Sequence, residues 1–175
     1  MCNGRLLETM DRPHAFREAH PGAIRLHQGE SYVVREMDLE MHTVRVASVD
    51  VDYYTQPLQE VSLPVIDTHK TRTINGAVCS FCAVEVTERY TGYKIKRGDT
   101  IIGVEPLSLP PLTFRTKAFR ITPPAGTGEK VSGAGSDFAG GLHGAEHAII
   151  GLMPLHVMCD RWDVGSPSSP YMGDD

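Results

Sequence analysis

Apolar and polar residues alternate with a period of two through most of this chain, and the period lengthens to that of a helix only near its C-terminal end. Residues 1–20 are ambiguous: 5–10 fit a helical turn, and Asp11-Arg12-Pro13 reads as a stop followed by a new start. His20-Pro21-Gly22 is a turn signal. Residues 23–26 and 32–36 flank His27-Gln28-Gly29-Glu30 and predict a hairpin. Met37-Asp38-Leu39-Glu40 predicts another turn, and 43–49 alternates as a strand. Residues 51–55 stay extended until Pro57, and Pro64 demotes 61–66 to an edge strand or an irregular piece. Asn75-Gly76 is a strong turn signal before the longest strand-like stretch, 77–90. That stretch puts Val78, Ser80, Cys82, Val84 and Val86 on one face, and Cys79, Phe81, Ala83, Glu85 and Thr87 on the other. A further hairpin joins 93–96 to 100–104 through Arg97-Gly98-Asp99, and 113–122 alternates again after Pro106, Pro110 and Pro111.

The Gly-, Pro- and Ser-rich stretch 123–136 reads as a loop and the best boundary in the chain. Leu142, Ala145, Ile149 and Leu152 then recur at helical spacing behind the capping residues Ser136 and Asp137, with Pro154 set to kink or end the helix. The expected class is α+β: a mostly antiparallel sheet, curled or barrel-like, followed by one C-terminal helix. The expected division is an N-terminal segment 1–20, a β domain 21–122, a linker 123–136, a helical segment 137–165 and a disordered tail 166–175.

With 175 residues, 41% hydrophobic and 22% charged, the composition is that of an ordinary globular domain with a real core. The longest apolar run, 148–158, is interrupted by Pro154 and His156 and is too short to span a bilayer. The start of the chain shows no secretory leader, and four cysteines (Cys2, Cys79, Cys82, Cys159) suggest free thiols in a reducing, cytoplasmic setting. The net charge of −5 argues against polyanion binding by overall charge. Yet residues 68–98 carry a net of +4, leaving −9 for the rest. Arg89, Lys94, Lys96 and Arg97 surround Tyr90 and Tyr93 there, a combination suited to a single-stranded backbone and its bases. A solvated hairpin tip explains the same residues equally well.

His143-Gly144-Ala145-Glu146-His147 has the order of one class of zinc peptidases, with two imidazoles on one helix face and Glu146 as base. A third ligand must come from His156, Asp160 or Asp163, so two hydrogen-bonded helix histidines are the favoured explanation of His143 and His147. Cys79-Ser80-Phe81-Cys82 lies within an alternating strand, where positions three apart face opposite ways, so two small core residues are favoured over a metal or redox pair. The glycines at 133, 135, 140 and 141 match no phosphate-binding fingerprint, and no ATP site is readable.

Several strings taken together carry a resemblance. They are His20-Pro21-Gly22-Ala23-Ile24, Leu26-His27-Gln28-Gly29-Glu30 with Tyr32, Val51-Asp52-Tyr53-Tyr54-Thr55, and Thr87-Glu88-Arg89-Tyr90-Thr91-Gly92-Tyr93-Lys94. Further on come Leu109-Pro110-Pro111-Leu112-Thr113-Phe114, His143 with Glu146-His147-Ala148, and Cys159-Asp160-Arg161-Trp162-Asp163-Val164-Gly165. In this order, over about residues 10–166, they resemble the C-terminal half of superfamily 2 DEAD/DEAH-box DNA helicases of the mitomycin-repair-factor type, YprA-like and related to the Hrq helicases. The resemblance implies a truncated piece of an ATP-dependent DNA-repair helicase. The complete family protein would use ATP, magnesium and zinc, with its motor domains and its zinc cysteines outside this chain. Cys79, Cys82 and Cys159 do not match those cysteines, and the chain itself is expected to hold no cofactor.

Three functions are therefore expected in order: a non-catalytic accessory segment that helps handle single-stranded DNA alongside the rest of a helicase polypeptide; a zinc enzyme built on His143, Glu146 and His147; and a purely structural connector. The first makes Arg89, Tyr90, Tyr93, Lys94, Lys96 and Arg97 the nucleic-acid-binding residues and assigns no catalytic residue and no membrane partner.

Overall fold

The structure is a computed structural model and describes residues 4–160 and 163–170. Among the described residues the order is α1 (Arg12–Glu18), β1 (Ile24–His27), β2 (Glu30–Asp38), β3 (Thr43–Val49), β4 (Tyr54–Ser62), β5 (Val65–Ile74), β6 (Ala77–Arg97), β7 (Thr100–Pro106), β8 (Leu112–Thr122), α2 (Thr127–Gly133) and α3 (Phe138–Leu152), with a 3₁₀ turn at Met153–Leu155. The class is the expected α+β one, mostly antiparallel, with a C-terminal helix. The strands form two sheets, β1-β2-β3 and a second organised around β6, and neither strand path closes into a barrel.

The chain forms two compact units: Met1–Lys70 with Phe81–Phe119, and Thr71–Ser80 with Arg120–Asp175. In the first, helix formation begins at Asp11, not in residues 5–10. Asp11 Oδ1 accepts from the His14 backbone N–H at 2.8 Å, and Pro13 stands in the first turn, where its missing N–H costs nothing. The helix carries Phe16 into a buried cluster with Tyr90 and Leu112, the Phe16 and Tyr90 rings meeting edge to face at 6.4 Å.

The β1–β2 hairpin closes on Gln28 and Gly29, both at positive φ (52° and 84°), which is what a two-residue turn between twisted strands requires. Tyr32 and Val34 point inward from β2, and Val34 packs with Ala19 and Ala23. Register against β3 shifts between Val34 and Glu36, so Arg35 is a bulge. Asp38 Oδ1 then accepts from the Glu40 and Met41 N–H groups and turns the chain into β3.

β6 is the hub: β4, β5, β7 and β8 all pair with it. At 21 residues it runs through Thr91-Gly92, where the sequence pattern had suggested a break. β4 and β7 both pair with β6 across residues 92–96, so they take opposite edges. A Cβ at position 92 would stand 2.6 Å from the Glu105 carbonyl oxygen, so only glycine lets β6 and β7 approach this closely. Pro57 lies inside β4, which is tolerated because β4 pairs on one side only. Pro64 separates β4 from β5 and still accepts the Glu85 N–H at 3.1 Å. Cys82, Val84 and Val86 form a buried cluster with Leu63 and Ala118 against it, on the face that alternation assigned them.

In the second unit, Asn75 and Gly76 make the expected tight turn at positive φ. The stretch expected to be a loop, 123–136, contains α2, which opens after Gly126 in the left-handed region. Its side chains are not buried, so the apolar periodicity that announces most helices is missing from it. Pro154 ends α3 by falling in the 3₁₀ turn. Residues 171–175 of the expected tail lie outside the described residues.

Candidate nucleic-acid interface

The structure divides the six residues expected to meet nucleic acid. Tyr90 is only 3% exposed; it packs on Phe16 and donates its hydroxyl to Glu88 Oε2 at 3.2 Å. Burial, then the Glu88 charge and hydrogen bond, pushes its pKa up to about 12. Such a ring has no face left for a base. Tyr93 is half-buried and lies 4.8 Å from the His20 ring. Burial first, then the nearby Glu105 and Tyr53, raises its pKa as well.

The cations of the β6–β7 hairpin have partners across the strands. Lys96 Nζ stands 5.5 Å from the centre of the Tyr54 ring, whose hydroxyl donates to the Gly98 carbonyl at 3.1 Å. Arg97 bonds Asp52 Oδ1 at 3.0 Å. Arg89 is exposed and pairs in register with Glu60, and Lys94 sits between Gln56 and Val104. The positive excess seen along the sequence therefore meets Asp52, Glu60 and Glu105, which distant segments bring beside it.

Beside Tyr93, an open depression of about 450 Å³ is bounded by Pro21, Gly22, Glu105, Leu107 and Leu109. Glu105 makes it a poor phosphate site. Against Tyr93 packs a buried residue, His20, that sequence reasoning did not single out as functional. His20 is 1% exposed, its Nδ1 lies 3.0 Å from the Pro21 carbonyl, and burial depresses its pKa. Its signals in the sequence were the His20-Pro21-Gly22 turn and the place of that string among those that carry the resemblance.

On α3, His143 and His147 face one another with Nε2 atoms 3.1 Å apart. Glu146 Oε2 lies 3.3 Å from the other ring nitrogen of His143, and the Ser166 hydroxyl donates to Glu146 Oε1 at 2.7 Å. Burial acts to raise the Glu146 pKa, but hydrogen bonds from Ser168, Ser166 and His143 outweigh it and hold the carboxyl below its ordinary value. Two nitrogens could share an ion, while the carboxylate braces the back of one ring instead of pointing at the same spot. Among the described residues, no group of three or more His, Cys, Asp or Glu side chains is gathered to hold a metal. Cys79, Cys82 and Cys159 are free thiols, Cys82 being buried; Cys2 lies outside the described residues, as do Arg161 and Trp162. No helix among the described residues is long and apolar enough to cross a membrane.

No family model matches the chain. Individual proteins do. It is 31% identical to the ATP-dependent helicase YprA of Bacillus subtilis over 94% of its own length and 22% of that protein. It is 24% identical to the ATP-dependent helicase hrq1 of Schizosaccharomyces pombe over 87% of the chain and 14% of the relative, and 26% identical to HRQ1 of Saccharomyces cerevisiae over 90% and 15%. Among solved structures, the DUF1998 helicase MrfA bound to DNA matches 87% of the chain and 20% of that structure's chain, with 29% identity and a TM-score of 0.58. MrfA in another crystal structure matches 91% and 21%, with 26% identity and a TM-score of 0.56. The chain thus spans between a seventh and about a fifth of the length of these relatives. Over 87–94% of its length the chain is thus homologous to a C-terminal region of the helicases YprA, Hrq1 and MrfA.

Proposed function

We propose that this chain is a non-catalytic segment of an ATP-dependent DNA helicase and that its work is to hold single-stranded DNA for the motor. The observation that carries the reading is its likeness, over 87% of its length, to a helicase whose structure was solved with DNA bound. In this reading the complete protein is a DEAD/DEAH-box repair helicase of the cytoplasm, using ATP and magnesium at motor domains and zinc at a cysteine module. The partner of this chain is then the rest of that polypeptide. Arg89, Lys94, Lys96 and Arg97 add salt-sensitive phosphate contacts along the β6–β7 hairpin, moderated at Arg89, Lys96 and Arg97 by the acid or ring beside each. Tyr90 has no part in this, because its ring is enclosed.

The test is equilibrium binding of a labelled oligodeoxythymidine to the chain at low salt, read by fluorescence anisotropy. Binding that weakens linearly with the logarithm of salt concentration supports the reading. Absence of binding at low salt overturns it and favours a connector without DNA contact. ATP hydrolysis by the pure chain would overturn the non-catalytic part, since no phosphate-binding loop is present to cradle the nucleotide.

A further inference from the structure

Two stretches of this acidic chain contain cations and no acid at all. Residues 68–84 hold Lys70 and Arg72, and residues 106–128 hold Arg115, Lys117 and Arg120. With five positive charges in these stretches, the remainder of the chain carries −10. They fall on β5 and β8, the strands that pair with β6.

Within the first unit, Arg115 and Lys117 share a sheet face with exposed rings. Phe81 is 37% exposed, its ring 5.7 Å from that of His69 on β5 and 5.8 Å from Lys117 Nζ on β8. Arg115, on the same face of β8, bonds Glu85 at 3.1 Å and keeps most of its side chain in solvent. Thr87 and Thr113 continue the face, their hydroxyls 3.2 Å apart. Two residues beyond Lys117 the same alternation brings Phe119, which is 56% exposed. A core would enclose such phenylalanines; here they stand open, with Lys117 beside Phe81, while Asp67 pairs with His69 at 3.3 Å and Glu85 with Arg115.

We propose that this face, formed by His69, Phe81, Arg115, Lys117 and Phe119, is a stacking platform for single-stranded DNA. Bases lie on the Phe81 and Phe119 rings, and Arg115 and Lys117 meet the phosphates that follow. Every base has a flat face, so the platform is indifferent to sequence. A duplex hides its bases and gains nothing from the rings. The proposal rests on the reading of the chain as a DNA-handling segment and goes beyond it by naming the surface.

The experiment compares the parent chain, Phe81→Leu, the pair Arg115→Gln with Lys117→Gln, and the hairpin triple Lys94→Gln, Lys96→Gln and Arg97→Gln. Each is titrated with oligodeoxythymidine and with a duplex of equal length across a range of salt, after circular dichroism has established folding. Phe81→Leu should weaken single-strand binding about tenfold, by the loss of one stacked base. The Arg115/Lys117 pair, exposed and safe for folding, should lower the salt slope by about 1.4, the loss of two phosphate contacts. Binding by the parent that Phe81→Leu and the Arg115/Lys117 pair leave unchanged, or that only the hairpin triple weakens, overturns the platform and leaves the DNA-handling reading standing. Equal affinity for duplex overturns stacking. No binding by the parent overturns both.

Discussion

The hydroxyl of Tyr93 occupies the space that a side chain at position 22 would need. Gly22 also has φ of 83°, a conformation that side chains disfavour. A Cβ there would meet not only the hydroxyl but also the ring carbon that bears it, at 2.7 Å. The ring cannot simply withdraw, because it packs beside buried His20. Gly22→Ala should therefore destabilise the chain by about 1–3 kcal/mol, strain and displacement together. In a Tyr93→Phe background the cost should shrink without vanishing, since the ring carbon remains. Denaturant melts of the four-member cycle measure this; additive costs would mean that the two residues do not compete for space.

His20 makes stability depend on pH. Burial lowers its pKa below the ordinary value of 6.5, so the folded state binds fewer protons than the unfolded one. Its contribution is complete above about pH 6.5 and is lost as pH falls from there toward the folded pKa. The melting temperature should drop on acidification through this window, and His20→Gln should flatten the slope. An unchanged slope in the variant would assign the loss to other groups.

Glu146 ties the segment around Ser166 and Ser168 to α3. Its lowered pKa means that the tie is complete at neutral pH and is lost as pH falls below about 4.5 through the folded value. Glu146→Gln should loosen residues 163–170 at pH 7, with amide exchange there on the order of tenfold faster. Exchange identical to the parent would show that backbone packing alone holds the segment.

The His143–His147 pair offers two donors at 3.1 Å, and structural zinc needs four. Purified chain should contain no stoichiometric zinc, and a chelator should leave its melting temperature unchanged. One zinc per chain by metal analysis, lost on His147→Ala, would revive the zinc-enzyme alternative.

Thiol accessibility should separate the cysteines. Cys82 is 1% exposed and packs with Val84 and Val86, with Thr68 Oγ1 3.7 Å from its sulfur. Native protein treated with a maleimide should leave Cys82 unlabelled, while the less buried Cys79 and Cys159 react, as peptide mass mapping would show. Prompt labelling of Cys82 would mean that the β6 cluster opens readily.

Local chemistry made much of the fold legible. The hairpin at Gln28-Gly29, the turn at Asn75-Gly76, the start of α1 behind Asp11 and the end of α3 at Pro154 depend on residues within a few positions of one another. Alternation along β6 assigned Cys82, Val84 and Val86 to one buried face for the same reason. The resemblance to helicases was legible too, because the order of short strings survives where geometry is unknown. The candidate site was not legible in the same way, since charge and exposure depend on what pairs across strands. Lys96 and Arg97 looked like open cations until Tyr54 and Asp52, more than forty positions away, came beside them. Tyr90 looked available until Phe16 closed over it, and Phe81 was assigned only to a strand face until strand pairing set it beside His69 and Lys117. Side chains on neighbouring strands lie within about 5 Å of each other whatever their distance along the chain. Sequence therefore determined where this chain turns and which residues alternate, and only the pairing of β4, β5, β7 and β8 with β6 decided which charges and rings are left to meet a partner.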